Sequence, residues 1–283
     1  MTNNGMPKNN TPRRRRIPVF IVPAVIVLAG TALALTAQMQ PPLPGLNLSG
    51  PREGGYLYRF VIVQAAPGRL MDLIDLYKKR APVVVAGGDE MPFIVRHSQG
   101  DHWDLVVIYP SGSFTEYYSR ERISKREAAA AAAGVPSAEF AKRFYEMVSW
   151  HEDLTVSGPP VEVFREHVKE AGVLHFEMMI PLPGKREALI EERRMENAFN
   201  RERGRGQTLI FLHEQGAAWD VITLGVYRNW RQYAESESIP PEVSETAARK
   251  AGFASAAGVG PYMRTLILTH RDTLGPPVRL ESK

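Results

Sequence analysis

The 283-residue sequence has no cysteine, so disulfides and thiolate metal sites are excluded. It has no G-x-S-x-G, which removes the nucleophile elbow of serine hydrolases. It has no G-x-G-x-x-G either, and GRGQ at 204–207 lacks the strand-to-helix setting a phosphate loop needs. The spacings HxH, HxxxH and HExxH are absent, so no metal is expected from the histidines by local pattern. Beyond the N-terminus there is also little charge of one sign. Residues 1–37 carry Lys8 and Arg13 to Arg16 with no acid, giving +5 where the whole chain has a net of +4. The remaining 30 basic and 31 acidic side chains give −1. A near-neutral body has no clustered cations to displace phosphate counterions, and nucleic acid is not an expected partner.

What is present begins with a polar, basic lead (1–16) followed by 21 uncharged residues, Ile17 to Ala37. A helix of that length crosses roughly 30 Å of hydrocarbon. The RRRR flank would hold its N-terminal end in the cytoplasm and send the body to the periplasmic or extracellular side. Two readings stand, a bilayer-spanning anchor and a signal peptide cleaved near Ala32 to Ala37 with secretion of the body. Length favours the anchor, since signal h-regions run roughly 7–15 residues. Residues 38–54, with Pro41, Pro42 and Pro44, read as an extended spacer.

The body is written twice. HSQGDHWD (97–104) returns as HEQGAAWD (213–220), an offset of 116. The same offset aligns Phe60 with Phe176, Pro67-Gly68 with Pro183-Gly184, Leu73-Ile74 with Leu189-Ile190 and Ile94 with Ile210. Near the ends the offset becomes 119, where HEDLTVSGPPV from His151 echoes HRDTLGPPV from His270. Such self-similarity marks an internal repeat, and the boundaries are set at 55–160 and 161–283.

Period-2 and helical patterns predict the same element order in each copy. In the first they give a strand at 56–64, a helix at 68–80, a hairpin of 91–99 with 103–110, a helix at 114–133, and a helix passing into a strand over 139–156. In the second they give a strand at 173–181, a helix at 184–202, a hairpin within 207–226, a helix at 228–256 broken at Pro240-Pro241, and a strand at 262–270. The fold class is α+β, two ferredoxin-like βαββαβ repeats packed sheet to sheet, each with strand order 4-1-3-2 and helices on one face.

This order, together with the aromatic-Asp pairs Trp103-Asp104 and Trp219-Asp220 opening the third strands, resembles the dimeric α+β barrel group over residues 55–275. That group includes antibiotic-biosynthesis-type monooxygenases, EthD-like and NIPSNAP-like proteins, and haem-binding chlorite dismutases. The resemblance implies a barrel fold and leaves the activity open.

Alternation along WDLVVI predicts Trp103 on the face of Leu105 and Val107, with Asp104 opposite. A functional reading makes Asp104 and Asp220 general bases at a pocket mouth. A structural one has them accept N–H bonds at a hairpin end, and their duplication favours it. Thus His97, Gln99, Gly100, Trp103 and Asp104, with His213, Gln215, Gly216, Trp219 and Asp220, are read as a structural hairpin motif, each His ring donating to a carbonyl. The first and last strands of a repeat are neighbours in the 4-1-3-2 order. That places Arg59 near His151, and His175 with Glu177 near His270, as candidate acid–base or metal-binding groups facing a pocket between the sheets.

The functional expectation is a membrane-tethered, non-catalytic accessory subunit of a membrane protein complex, contacting the bilayer through 17–37 and needing no cofactor. Two alternatives remain. One is an oxygenase-type or haem-binding enzyme with His175, Glu177 and His270 near its site, and the other is a binder of a small apolar ligand between the sheets.

Overall fold

The computed structural model describes residues 55–280, so the predicted anchor or signal at 17–37 lies outside the described residues. The first repeat runs β1 (Tyr56–Ala65), α1 (Leu70–Ala86), β2 (Phe93–Arg96), β3 (Gln99–Gly100), β4 (Leu105–Gly112), α2 (Phe114–Tyr117), α3 (Arg120–Ala132), α4 (Ser137–Met147) and β5 (Val148–Gly158). A connecting helix follows, α5 (Val161–Val168). The second repeat runs β6 (Val173–Pro181), α6 (Arg186–Glu202), β7 (Leu209–Gly216), β8 (Val221–Tyr227), α7 (Trp230–Ala234), α8 (Pro241–Lys250), α9 (Val259–Arg264), β9 (Ile267–Gly275) and β10 (Pro277–Val278).

The architecture is α+β with one large antiparallel sheet. Its strand order contains β2-β4-β1-β5 and β7-β8-β6-β9, the 4-1-3-2 arrangement twice. The two sets do not merely face each other. β5 pairs with β7, Leu154 opposite Gly216 and Ser157 opposite Leu212. On the far side β3 pairs with β9, Gln99 opposite Leu274, and β10 pairs with β2, Pro277 opposite Val95. Residues 93–100 are the counterpart of β7, so the two seams are copies of each other and close the sheet into a barrel without free edges.

The repeated octapeptide builds these seams. The Asp101 N–H donates to the Asp272 carbonyl at 3.1 Å, and the Ala217 N–H to the Asp153 carbonyl at 3.0 Å. Gly100 (φ 112°) and Gly216 (φ 107°) stand where a β-carbon would collide with those same carbonyl oxygens. Only glycine allows that backbone shape and that approach.

Apart from Arg59, His175 and Glu177, the middles of strands β1 and β6 are apolar on both faces because both faces are covered. Tyr58, Phe60, Ile62, Phe176 and Met178 point into the barrel, while Val61, Val63 and Met179 lie under the helices. Inside, Phe60 packs on Phe211 (5.0 Å between ring centroids) and Phe176 (5.9 Å), and Trp103 on Phe176 (5.8 Å). The pocket expected between the sheets is therefore filled by side chains. The ionisable cluster does not face inward there.

Local expectations change in four places. The helix expected at 114–133 breaks after Tyr117, and Ser119 restarts it by accepting from the Arg122 N–H at 3.2 Å. The strand expected from 262 begins at Ile267, because GVGPYM opens the helix α9, whose early Pro261 needs no N–H partner. Helix α5 was not read from the pattern, and its Phe164 plugs one barrel end against Tyr58 and Phe93. Finally, Trp103 enters the core with Val106 and Ile108, while Leu105 and Val107 face the helices. A bend over 101–104 precedes β4, so alternation does not extend back to the Trp.

Candidate functional site

Outward-facing residues of β1 and β6 meet the helices, and there the two repeats differ. In the second repeat, Glu177 is buried under α6. Its Oε1 lies 3.1 Å from Nε2 of His270, and Oε2 accepts from Thr223 Oγ1 at 2.6 Å. Burial pushes this carboxyl up, but the bonds from His270 and Thr223 and the nearby His175 and Arg193 outweigh it and hold Glu177 down to about 2. Arg193, only 5% exposed, reaches Glu192 and Glu196 at 2.6 Å each and Glu177 at 3.8 Å. One guanidinium thus serves three carboxylates. Burial raises Glu192 to about 7 against the pull of Arg193, and raises Glu196 as well.

The predicted Glu177–His270 pair is therefore brought together, on the helix side and not between the sheets. His175 makes no bond to it; its ring packs 6.2 Å from Tyr233. Arg193 fills the space that a ligand would need. Among the described residues no group of three or more His, Asp or Glu side chains is placed to hold a metal.

In the first repeat the equivalent space is open. Position 77, the counterpart of 193, is Tyr, and a cleft of ≈230 Å³ is lined by Arg59, Tyr77, Tyr109, Phe140, Tyr145, His151 and Asp153, among others. Arg59 is in register with Thr155, not His151, yet the two predicted neighbours connect through Asp153. Arg59 bonds Asp153 through Nε (2.9 Å) and Nη2, and Asp153 Oδ2 lies 2.7 Å from His151 Nδ1. The ring of His151 packs on Phe144 and Tyr145. Tyr77 and Tyr109 make no hydroxyl hydrogen bond to any described residue. Burial pushes both hydroxyls above their ordinary range, so they remain protonated donors.

The cleft thus combines an imidazole oriented by a carboxylate with three donor groups and aromatic walls. Sequence reading noted Arg59 and His151 but missed Asp153, Tyr77 and Tyr109. Asp153 was recoverable from the strand period, being two residues from His151 on the same face.

The hairpin residues take structural places. Asp104 Oδ2 accepts from the Ala65 N–H at 2.8 Å, and Asp220 lies 3.5 Å from Arg186 Nε. Gln99 and Gln215 are exposed on the seams. Trp219 donates from Nε1 to Glu152 at 2.7 Å. The histidine rings depart from expectation: Nε2 of His97 and of His213 is buried with no partner, so neither donates to a carbonyl through it. In both, the backbone N–H closes the hairpin instead, onto Asp104 and Asp220 carbonyls.

No family model and no curated protein matches the sequence. Among solved structures, the chain is similar to an anthrone oxidase-like protein, at 12% identity over 79% of this chain and 92% of that one, TM-score 0.50. It is also similar to a haem-binding protein from Thermus thermophilus (9% identity, 80% and 92%, TM-score 0.40). A mutant chlorite dismutase from Candidatus Nitrospira defluvii gives 10% identity over 81% and 94%, TM-score 0.42. At these identities the likeness shows the fold.

The expectation of a non-catalytic accessory subunit is corrected by these findings, while its tether at 17–37 lies outside the described residues. The solved structure that shares this architecture at TM-score 0.50 is described as anthrone oxidase-like. The first repeat opens a cleft with an oriented imidazole.

Proposed function

We propose that the protein is an oxygenase-type enzyme acting on a small hydroxylated aromatic or enolisable substrate in the cleft of the first repeat. The observation that carries this reading is the His151–Asp153 pair at 2.7 Å, set in a cleft whose other polar groups include the donors Arg59, Tyr77 and Tyr109. Asp153 accepts the Nδ1 proton and fixes the tautomer, leaving Nε2 as the base. His151 removes a proton from a phenolic O–H or an activated C–H. Arg59 and the tyrosine hydroxyls then hold the developing oxyanion, an arrangement worth far more in a shielded cleft than in water. The electron-rich carbanion so formed is oxidised by dioxygen. For a ring methylene, CH₂ becomes C=O, one oxygen atom entering the product and the other leaving as water.

The description of the neighbour as anthrone oxidase-like agrees with this chemistry. A porphyrin does not fit this cleft. The His151 cleft, at ≈230 Å³, is smaller than the roughly 300–1,000 Å³ of pockets that take even drug-sized ligands. The Arg59–Asp153 pair also spans the cleft, so no step is routed through haem.

The test is oxygen uptake by the full chain with anthrone, followed by electrode and by anthraquinone absorbance. Uptake that disappears in His151→Ala is the expected result. No uptake above buffer with either anthrone or 1-naphthol overturns the reading, as does a Soret band in the purified protein.

A further inference from the structure

The His151 cleft shares a wall of Arg59, Tyr109 and Phe140 with a second chamber of ≈210 Å³. Its charges are not balanced. Asp89 is shared by two guanidiniums, Arg122 at 2.7 Å and Arg126 at 2.6 Å. Glu90 is paired with Arg165 at 2.7 Å, and Arg59 with Asp153. Arg80 has no carboxylate among the described residues. Its Nη1 and Nη2 donate to the Val135 carbonyl (2.9 Å) and Ser137 Oγ (3.1 Å), and its guanidinium lies 5.4 Å over the Phe140 ring. Three guanidiniums, Arg59, Arg80 and Arg126, thus line one half-enclosed space with two carboxylates, Asp89 and Glu90, and Arg80 is the one of the three with no carboxylate partner among the described residues. Tyr117 also lines the chamber, its hydroxyl raised by burial despite Arg126 and so still a donor.

The geometry points to a carboxylate subsite. The substrate is an aromatic monocarboxylic acid whose carboxylate lies between Arg80 and Arg59, with its ring over Phe140 and its reacting carbon in the His151 cleft. Guanidinium and carboxylate are a matched planar pair, and a half-buried, uncompensated Arg strengthens the match. Asp89 and Glu90 on the same wall oppose a dianion, which selects a carboxylate over a phosphate monoester. Which end of the ligand reacts rests on the proposed function above; that an acid binds here does not.

The experiment is calorimetric titration of the full chain with 6-hydroxy-2-naphthoate, 2-naphthol and 2-naphthyl phosphate. The acid is expected to bind at least tenfold more tightly than either of the others. Arg80→Gln should cut acid affinity tenfold or more and leave 2-naphthol within twofold, while Arg80→Lys recovers part of the loss. Ser137→Ala removes the bond that ties Arg80 to α4 and should bind the acid as the unaltered chain does. Equal binding of acid and naphthol, tighter binding of the phosphate, or an equal loss in Ser137→Ala and Arg80→Gln overturns the subsite. Arg80-dependent acid binding without any oxygen uptake would sustain the subsite and sink the oxygenase reading.

Discussion

Tyr77 and Arg193 occupy the same point of the two repeats, 116 residues apart, on helices α1 (Leu70–Ala86) and α6 (Arg186–Glu202) that share that offset at both ends. One is a neutral ring that leaves a cleft beside it; the other is a guanidinium that fills the equivalent space with ion pairs. The duplication supplied two similar chambers between sheet and helices. Their contents then set one apart as open and one as sealed.

The two positions should respond oppositely to truncation. Arg193→Met leaves Glu177, Glu192 and Glu196 without their shared cation, and removing one partner of a buried ionic group costs about 3–5 kcal/mol. Tyr77→Phe removes a hydroxyl that bonds to no described residue, so stability should change by under about 1 kcal/mol. Oxygen uptake in that variant should nonetheless drop roughly 10²-fold, as when one oxyanion donor is lost. Urea unfolding midpoints and the uptake assay read the two effects separately. A large fall in stability for Tyr77→Phe would place its hydroxyl in the framework rather than the site.

The sealed chamber should make stability depend on pH in two directions. Glu192, raised to about 7 by burial, keeps its proton in the folded chain where the unfolded chain has lost it. Its contribution is complete below about 4.5 and disappears as pH rises through about 7. Glu177, held down to about 2, contributes above about 4.5 and loses that contribution as pH falls towards 2. The unfolding free energy should therefore fall from pH 5 to pH 8 by about 1 kcal/mol per unit at most. Glu192→Gln, which mimics the protonated acid, should flatten that slope. An unchanged slope in the variant would show that Glu192 is ionised in the folded chain throughout.

Much of the fold was legible because period-2 and helical patterns repeat at a fixed offset. The strand order 4-1-3-2 follows from right-handed crossovers in each copy. Barrel closure was not legible, since pairing of β5 with β7 and of β3 with β9 depends on the close approach at Gly100 and Gly216, which no periodicity encodes. The site was read in part. Strand neighbourhood brought Glu177 to His270 and Arg59 near His151, but it assigned them to the wrong side of the sheet. Both faces of β1 and β6 are buried, so burial pattern alone could not tell barrel interior from helix underside.

The seam glycines should be intolerant of a single methyl group. Gly216→Ala would need a left-handed φ near 107° and would drive its β-carbon into the Asp153 carbonyl. Strained backbone plus a broken seam bond should cost roughly 2–4 kcal/mol. Gly184→Ala, also at positive φ but with open space around the added carbon, should cost only the strain, roughly 1 kcal/mol. Thermal melts of the two variants compare the terms directly. Equal losses would mean that the seam yields and that only φ matters.

The catalytic proposal separates from a purely structural account through Asp153. Its side chain orients His151 and pairs with Arg59, while its main-chain carbonyl holds the seam at Ala217. Asp153→Asn leaves the carbonyl untouched and keeps a side-chain oxygen for Arg59, so the fold should survive with a modest loss. It should cost oxygen uptake roughly 10²–10⁴-fold, because the amide no longer fixes the imidazole with its Nε2 as acceptor. His151→Gln should lose as much and should not add to the Asp153→Asn loss in the double variant, since the two act as one unit. Losses that multiply would mean the residues act independently, and His151 would then have to find its proton acceptor elsewhere in the cleft.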